Sequence, residues 1–264
     1  MTITKNFIPG KRGIRTGYKL TRCLGLVIHW IGVCQSKASV IRQNFEFTDF
    51  CGTQYICDYN TGDIINCVPE DEVTYHVGAT RYTDLKRQLV GEKNPNNYFV
   101  GIECCIGDKN IPNDWSTPGK HMELGKPSDK QYAALVEFAA DFLTRHGMTT
   151  DNLYRHYDIT GKLCHVWFVK DEARWEMFKA DVAVKMKGEE DMTKEETQKL
   201  IDEAVNAAKP KVYTSVEECP KWAQELVQRA KEDGIIKGDG TGKLNLTDTD
   251  LKTLSMVMAA KGGV

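Results

Sequence analysis

Apolar residues fill both alternating faces of two short runs, residues 24–31 (LGLVIHWI) and 98–106 (YFVGIECCI). Runs of this length and content predict strands covered on both sides, and so a central place in a sheet. Each run holds one polar intruder, His29 in the first and Glu103 in the second. Burying either without a partner costs on the order of 1 to 3 kcal/mol, and more for a charged carboxylate, so both call for a chemical reason. Between the runs, residues 53–69 (TQYICDYNTGDIINCVP) read as a hairpin, with Asn60, Thr61, Gly62 and Asp63 as turn residues.

The period then lengthens. Within residues 128–146, Tyr132, Leu135, Phe138, Ala139, Phe142 and Leu143 recur at helical spacing. Ser128 with Gln131 reads as a capping box at the start of this helix, and Gly147 ends it. A second amphipathic helix is predicted over residues 170–187, with Trp175, Phe178 and Val182 on one face, which leaves 155–168 (RHYDITGKLCHVWF) as the loop between the two. Beyond Gly188 the chain turns polar and rich in Glu and Lys, and Thr193 with Glu196 suggests another capped helix. This shift predicts a catalytic-sized domain over 1–187, a charged helical linker over 188–211, and a small module over 212–264 built as helix, Gly-rich turn and helix.

Composition narrows the class. The chain has 264 residues, 41% hydrophobic and 27% charged, with a net charge of -2, which suits a soluble globular protein without the basic excess of a nucleic-acid binder. No apolar run approaches the roughly 20 residues of a membrane span, and MTITKNFIPGKRG lacks the apolar core of a signal peptide, so a cytoplasmic location is expected. Nine cysteines, an odd number with no CxxC pair, argue against a disulfide scaffold, a thioredoxin site and a zinc ribbon. Most are expected reduced and buried as small apolar residues.

Cys164 differs from the other cysteines because of its neighbours. His29 on a strand, with His156 and Cys164 eight residues apart, offers two imidazoles and a thiolate, the donors tetrahedral zinc prefers, and leaves a fourth position open as in catalytic zinc. Glu103 then suits a general base for a metal-activated water, and Lys162 suits an oxyanion stabiliser, which together describe metal-assisted amide hydrolysis. The rival is nucleophilic catalysis by Cys164 with a histidine base, for which His165 is the adjacent candidate; it leaves Glu103, Lys162 and the second histidine unexplained. Asp158 and Thr160 read as residues that orient the loop through local hydrogen bonds, with Asp158 the rival ligand if Cys164 points away. His121 and His146 read as solvent-facing.

LVIHWIG, VGIECC and RHYDITGKLC, in this order and at these separations, resemble the zinc-dependent N-acetylmuramoyl-L-alanine amidases of phage endolysins and bacterial autolysins, the amidase type 2 family. The likeness covers roughly residues 1–180. It implies an α/β fold with a central mixed β-sheet flanked by helices, as in peptidoglycan-recognition proteins, followed by the small helical C-terminal module. It also implies Zn2+ on His29, His156 and Cys164, with Glu103 as acid/base and Lys162 as transition-state stabiliser. The reaction implied is cleavage of the amide joining N-acetylmuramic acid to L-alanine in bacterial peptidoglycan. TYHVGA resembles the family's segment at the cleft rim and marks His76 as a substrate contact. His165 stands where many relatives have proline.

The other class the resemblance leaves open is a non-catalytic peptidoglycan-binding protein of the same fold; such proteins commonly lack the cysteine ligand, which is present here. An endolysin would wait in the host cytosol until released to the wall. The tail, with Trp222 and then GIIKGDGTGKLN before a helix, resembles a surface-layer-homology-type unit, and suits wall attachment or self-association into a homo-oligomer. DGTGKLNLTDTD lacks the oxygen ligands and closing glutamate of an EF-hand loop. Neither nucleic acid nor membrane is an expected partner.

Overall fold

The computed structural model describes residues 1–49, 51–107, 124–188, 211–237 and 243–260, with a few isolated positions between. The chain divides into two compact units, Met1–Ala207 and Ala208–Val264. In the first, six strands form one mixed sheet: β1 (Ile3–Lys5), β2 (Gly25–Trp30), β3 (Tyr55–Cys57), β4 (Ile64–Asn66), β5 (Phe99–Cys104) and β6 (Leu153–Arg155), in the order β1-β4-β3-β5-β2-β6. Only β3 and β4 pair antiparallel, as the predicted hairpin, while β5, β2 and β6 run parallel at the centre and one edge. Every residue of β2 is buried, as its two-sided apolar pattern requires.

Among the described residues of this unit the helices are α1 (Ala38–Phe47), α2 (Asp84–Val90), α3 (Asp129–His146), α4 (His156–Thr160), α5 (Val166–Val169) and α6 (Glu172–Lys187). Leu26, Ile28, Val100 and Ile102 point from the sheet into a core with Leu135, Phe138 and Phe142 of α3 and Trp175 and Phe178 of α6. The opposite face buries Val27 and Phe99 with Val77, Val90, Tyr98 and Ile159. His29 and Glu103 therefore share this second face, because side chains alternate along a strand.

Local chemistry explains the helix ends. Ser128 Oγ accepts the Gln131 amide at 3.1 Å, and Gly147 closes α3 in the left-handed conformation, φ 62°. The Gln131 side chain does not return to the cap; it donates to the carbonyls of Cys57 and Cys105, tying α3 to the sheet. The stretch 155–168, expected as loop, instead holds the end of β6 and two short helices, α4 and α5. Asp158 Oδ2 accepts the Arg155 amide at 2.7 Å and so starts α4 directly at the strand end. His146, expected to face solvent, is half-buried, and Glu70 accepts from its Nε2 at 2.8 Å. His121 and the Thr193–Glu196 cap lie outside the described residues, as does most of the expected linker helix.

The second unit contains α7 (Lys221–Glu232) and α8 (Asp248–Ala260), with β7 (Val212–Tyr213) and β8 (Leu246–Thr247) paired antiparallel. The module is thus not wholly helical. Its own core joins Tyr213, Ala223, Val227 and Ala230 to Leu251, Leu254 and Met258. No helix among the described residues is long and apolar enough to cross a membrane.

Candidate metal centre

The parallel strands β5, β2 and β6 end at one edge of the sheet, where open α/β sheets place their chemistry. His29 sits next to last on β2 and lies in register with Glu103 on β5. Arg155, the last residue of β6, pairs with Ile28, so His156 follows at the same edge as the first residue of α4. The chain then returns through the left-handed Gly161 to Cys164, whose carbonyl accepts the Tyr157 amide at 2.8 Å. Topology and one tight return thus bring together residues far apart in sequence.

His29, His156 and Cys164 are all buried, and one donor atom from each lies within 4.8 Å of the others. Cys164 Sγ stands 3.7 Å from His29 Nδ1, and it accepts the Trp30 backbone amide at 3.4 Å. Bonds of about 2.3 Å to sulfur and 2.0–2.1 Å to nitrogen at tetrahedral angles would set two such donors about 3.5 Å apart, close to the spacing found. His156 Nε2 is a buried nitrogen with no hydrogen-bond partner. An orphaned lone pair beside a thiol and a second imidazole is a donor set suited to zinc.

The electrostatics agree. Burial, with the neighbouring His156, His76 and Lys162, holds His29 well below the usual imidazole range, and burial with Lys162 lowers His156 to about 3. Both rings are neutral, as ligation requires. Burial also pushes the Cys164 thiol well up, and Glu103 adds to this. Neither ring nitrogen of His165, the base that the cysteine-nucleophile alternative calls on, has a hydrogen-bond partner, so this ring is not set on the thiol as a base.

Glu103 keeps Oε2 buried without a partner, and burial pushes its carboxyl up to about 7 against the opposing charge of Lys162. Lys162 lines a cavity of about 350 Å³ with Trp30, Ile31, Gly32 and Leu163. Its charge reaches Glu103, His29 and His156 alike.

Other expected residues lie elsewhere. His76, placed at the cleft rim by the sequence, is 6% exposed and lies behind His29, with His29 Nε2 at 2.9 Å from its Nδ1. Asp158 gives its oxygens to Arg155, at 2.8 Å to Nη2 and 2.7 Å to the backbone amide, so it anchors the turn bearing His156. Thr160 Oγ1 donates to the His156 carbonyl at 3.1 Å. His165 is 1% exposed with neither ring nitrogen partnered, 5.0 Å from the Phe168 ring between centroids, and stands outside the donor group. Sequence reasoning passed over Gly101 and Asn96. A lone glycine inside the apolar run YFVGIECC was the available signal for a close approach.

A mixed sheet whose strand ends carry a buried His/His/Cys group beside a carboxylate and a lysine defines a class, the α/β proteins with a donor group suited to a metal at the ends of their parallel strands. More particularly, the chain belongs to the N-acetylmuramoyl-L-alanine amidase family, whose model matches residues 20–166. It is similar to the N-acetylmuramoyl-L-alanine amidase CwlL of Bacillus licheniformis, 27% identical over 190 residues, which cover 68% of this chain and 46% of that protein. It also resembles BlyA of Bacillus subtilis (strain 168), 26% identical over 191 residues, 70% of this chain and 48% of that protein. The chain spans about half the length of the curated relatives it matches. Its fold is shared with the catalytic domain of XlyA (TM-score 0.50, 20% identity, 69% of this chain and 99% of that one) and with PlyL (TM-score 0.51, 16% identity, 69% and 97%).

Proposed function

We propose that this chain is a zinc-dependent N-acetylmuramoyl-L-alanine amidase of endolysin type, acting on bacterial peptidoglycan. The observation that carries the reading is the convergence of the His29, His156 and Cys164 donors within 4.8 Å, beside Glu103 in register with His29. Family membership and the names of the similar amidases supply the substrate class.

His29, His156 and Cys164 would hold zinc, which supplies Lewis acidity to a water and to the scissile carbonyl. Glu103 takes a proton from the attacking water as its oxygen bonds to the lactyl carbonyl carbon. Lys162 places its ammonium against the oxyanion that develops there. Glu103 then returns the proton to the alanine nitrogen as the C–N bond breaks, leaving a lactyl carboxylic acid and a free L-alanine amino terminus. A carboxyl held near 7 by burial is matched to both halves of this transfer at neutral pH.

The test is digestion of purified peptidoglycan by the full chain. New L-alanine amino termini without new reducing sugar ends are expected, stopped by a chelator and restored by zinc. Tight wall binding with no amino termini released would instead make the chain a binding protein of this fold.

A further inference from the structure

Behind His29 lies a second imidazole that neither the donor group nor the proton transfer uses. His76 Nδ1 is 2.9 Å from His29 Nε2, while His76 Nε2 is 3.1 Å from the Phe99 carbonyl oxygen. That carbonyl can only accept, so His76 Nε2 carries the hydrogen. A neutral ring with its hydrogen on Nε2 presents a lone pair at Nδ1, and His29 must then donate from Nε2. The remaining nitrogen of His29 is Nδ1, the atom 3.7 Å from Cys164 Sγ.

The fold builds a niche for this ring. Asn96 Oδ1 accepts the backbone amides of both His76 and Val77, at 2.8 and 2.9 Å, and so fixes the segment against the sheet. Gly101 on β5 supplies the space: a Cβ there would stand 2.7 Å from His76 Nδ1 and 2.7 Å from Thr53 Cγ2. Glycine at 101 is thus the residue type that leaves room for the imidazole beside His29.

We propose that His76 is a positioning residue that locks His29 in the Nε2–H tautomer, with Nδ1 free toward Cys164 and the metal position. The chain of hydrogen bonds runs from His29 through His76 to the Phe99 carbonyl, anchoring one ligand to the backbone of the strand that carries Glu103. This role rests on the zinc reading of the site for its consequence, but the tautomer it sets is a property of the metal-free protein. Losing an outer-sphere partner of this kind typically weakens metal binding about 10- to 100-fold.

The experiment combines zinc affinity, by competition with a chromophoric chelator, with long-range 1H–15N spectra of the histidine rings. The metal-free wild type should show His29 protonated at Nε2. His76→Ala should release that tautomer and weaken zinc about 10- to 100-fold with the fold retained by circular dichroism. Gly101→Ala, which drives a methyl into the ring, should do the same. His76→Asn places an oxygen where Nδ1 stood and should restore tautomer and affinity, whereas His76→Gln matches only the Nε2 end and should not. A purely structural ring would make Asn and Gln equivalent. Wild-type affinity and an unchanged His29 tautomer in His76→Ala overturn the proposal. A wild type that shows the tautomer but binds no zinc overturns the zinc reading and leaves the positioning hydrogen bond standing.

Discussion

Replacing Glu103 with glutamine isolates the proton-transfer role from everything else at the strand ends. Oε2 is buried and makes no hydrogen bond, so the amide breaks no contact when it takes the carboxylate's place. Burial already opposes the charged form and pushes the carboxyl up to about 7, so the uncharged amide also relieves a cost that builds between the ordinary carboxylate value of 4.5 and about 7 and is fully present above it. Fold and zinc content should therefore match the wild type, with stability at pH 8 equal or greater. Turnover should fall by about 10²- to 10⁴-fold, the usual contribution of a positioned base, or about 3 to 5 kcal/mol of transition-state stabilisation. The assay is release of L-alanine amino termini from soluble muropeptides, with zinc counted per chain in the same preparation. The loss should appear in kcat, because Glu103 moves protons in the reaction steps and is not needed to hold the substrate beforehand. Release of the metal by Glu103→Gln would make the carboxylate a ligand, and retention of activity would remove it from the reaction.

Three further expectations follow from other contacts. Asp158→Ala strips Arg155, 5% exposed, of the carboxylate that accepts from its Nε and Nη2 and leaves it Glu172, the Phe168 carbonyl and the Tyr157 and Trp175 rings, so it should cost about 3 kcal/mol in denaturant unfolding and loosen a metal held by His156; unchanged zinc affinity would show that α4 does not depend on this pair. Burial pushes Glu70 up, but hydrogen bonds from Arg145, Tyr55 and His146 override it and bring it to about 2, so its contribution to stability is present above the ordinary carboxylate value of 4.5 and lost as pH falls from there through 2; Glu70→Gln should flatten that part of an acid-unfolding profile, and identical profiles would refute it. Truncation after Gly188, the cap of α6, should leave zinc content and cleavage of soluble muropeptides intact while lowering lysis of whole cells through lost effective concentration, since Trp222 and Met256 stand exposed on the removed helices; equal loss on both substrates would make the tail part of the catalytic fold.

Strands β2 and β5 were legible because burial on both faces writes an unbroken apolar run, and for the same reason His29 and Glu103 stood out as the residues that do not belong there. The cap and stop of α3 were legible because Ser128 and Gly147 act on their own backbone. What escaped reading depends on contacts between distant segments or on elements too short to show a period. β1 has three residues with exposed side chains and exists only by pairing with β4. α4 is five residues long, less than two helical turns, and is started by one side chain, Asp158. His146 looked solvent-facing because nothing nearby in sequence announces Glu70, 76 residues away. The niche of His76 needs Gly101 on a strand and Asn96 in a turn, and no local pattern joins the three.

On the zinc reading, the same distance between ligands would make the metal a folding cofactor as well as a catalytic one. His29 and Cys164 are 135 residues apart, and His156 reaches them only once β6 has paired with β2. An unfolded chain cannot hold the three together, so a metal on this group would bind the folded state and stabilise it by mass action. At free zinc 100 times Kd the gain is about 2.7 kcal/mol. For a unit of this size each kcal/mol moves the midpoint by about 2–4 °C, so zinc should raise Tm by about 5–11 °C. Magnesium, which prefers oxygen ligands, should leave the melt unmoved. Cys164→Ser replaces a thiolate with a much weaker donor and should lose most of the zinc-dependent shift, while its metal-free Tm stays near that of the wild type. Thermal melts followed by circular dichroism across a zinc titration read both. An undiminished shift in Cys164→Ser would place the metal on other residues, and no shift in the wild type would mean that the convergence of donors at the strand ends is a packing arrangement without a metal.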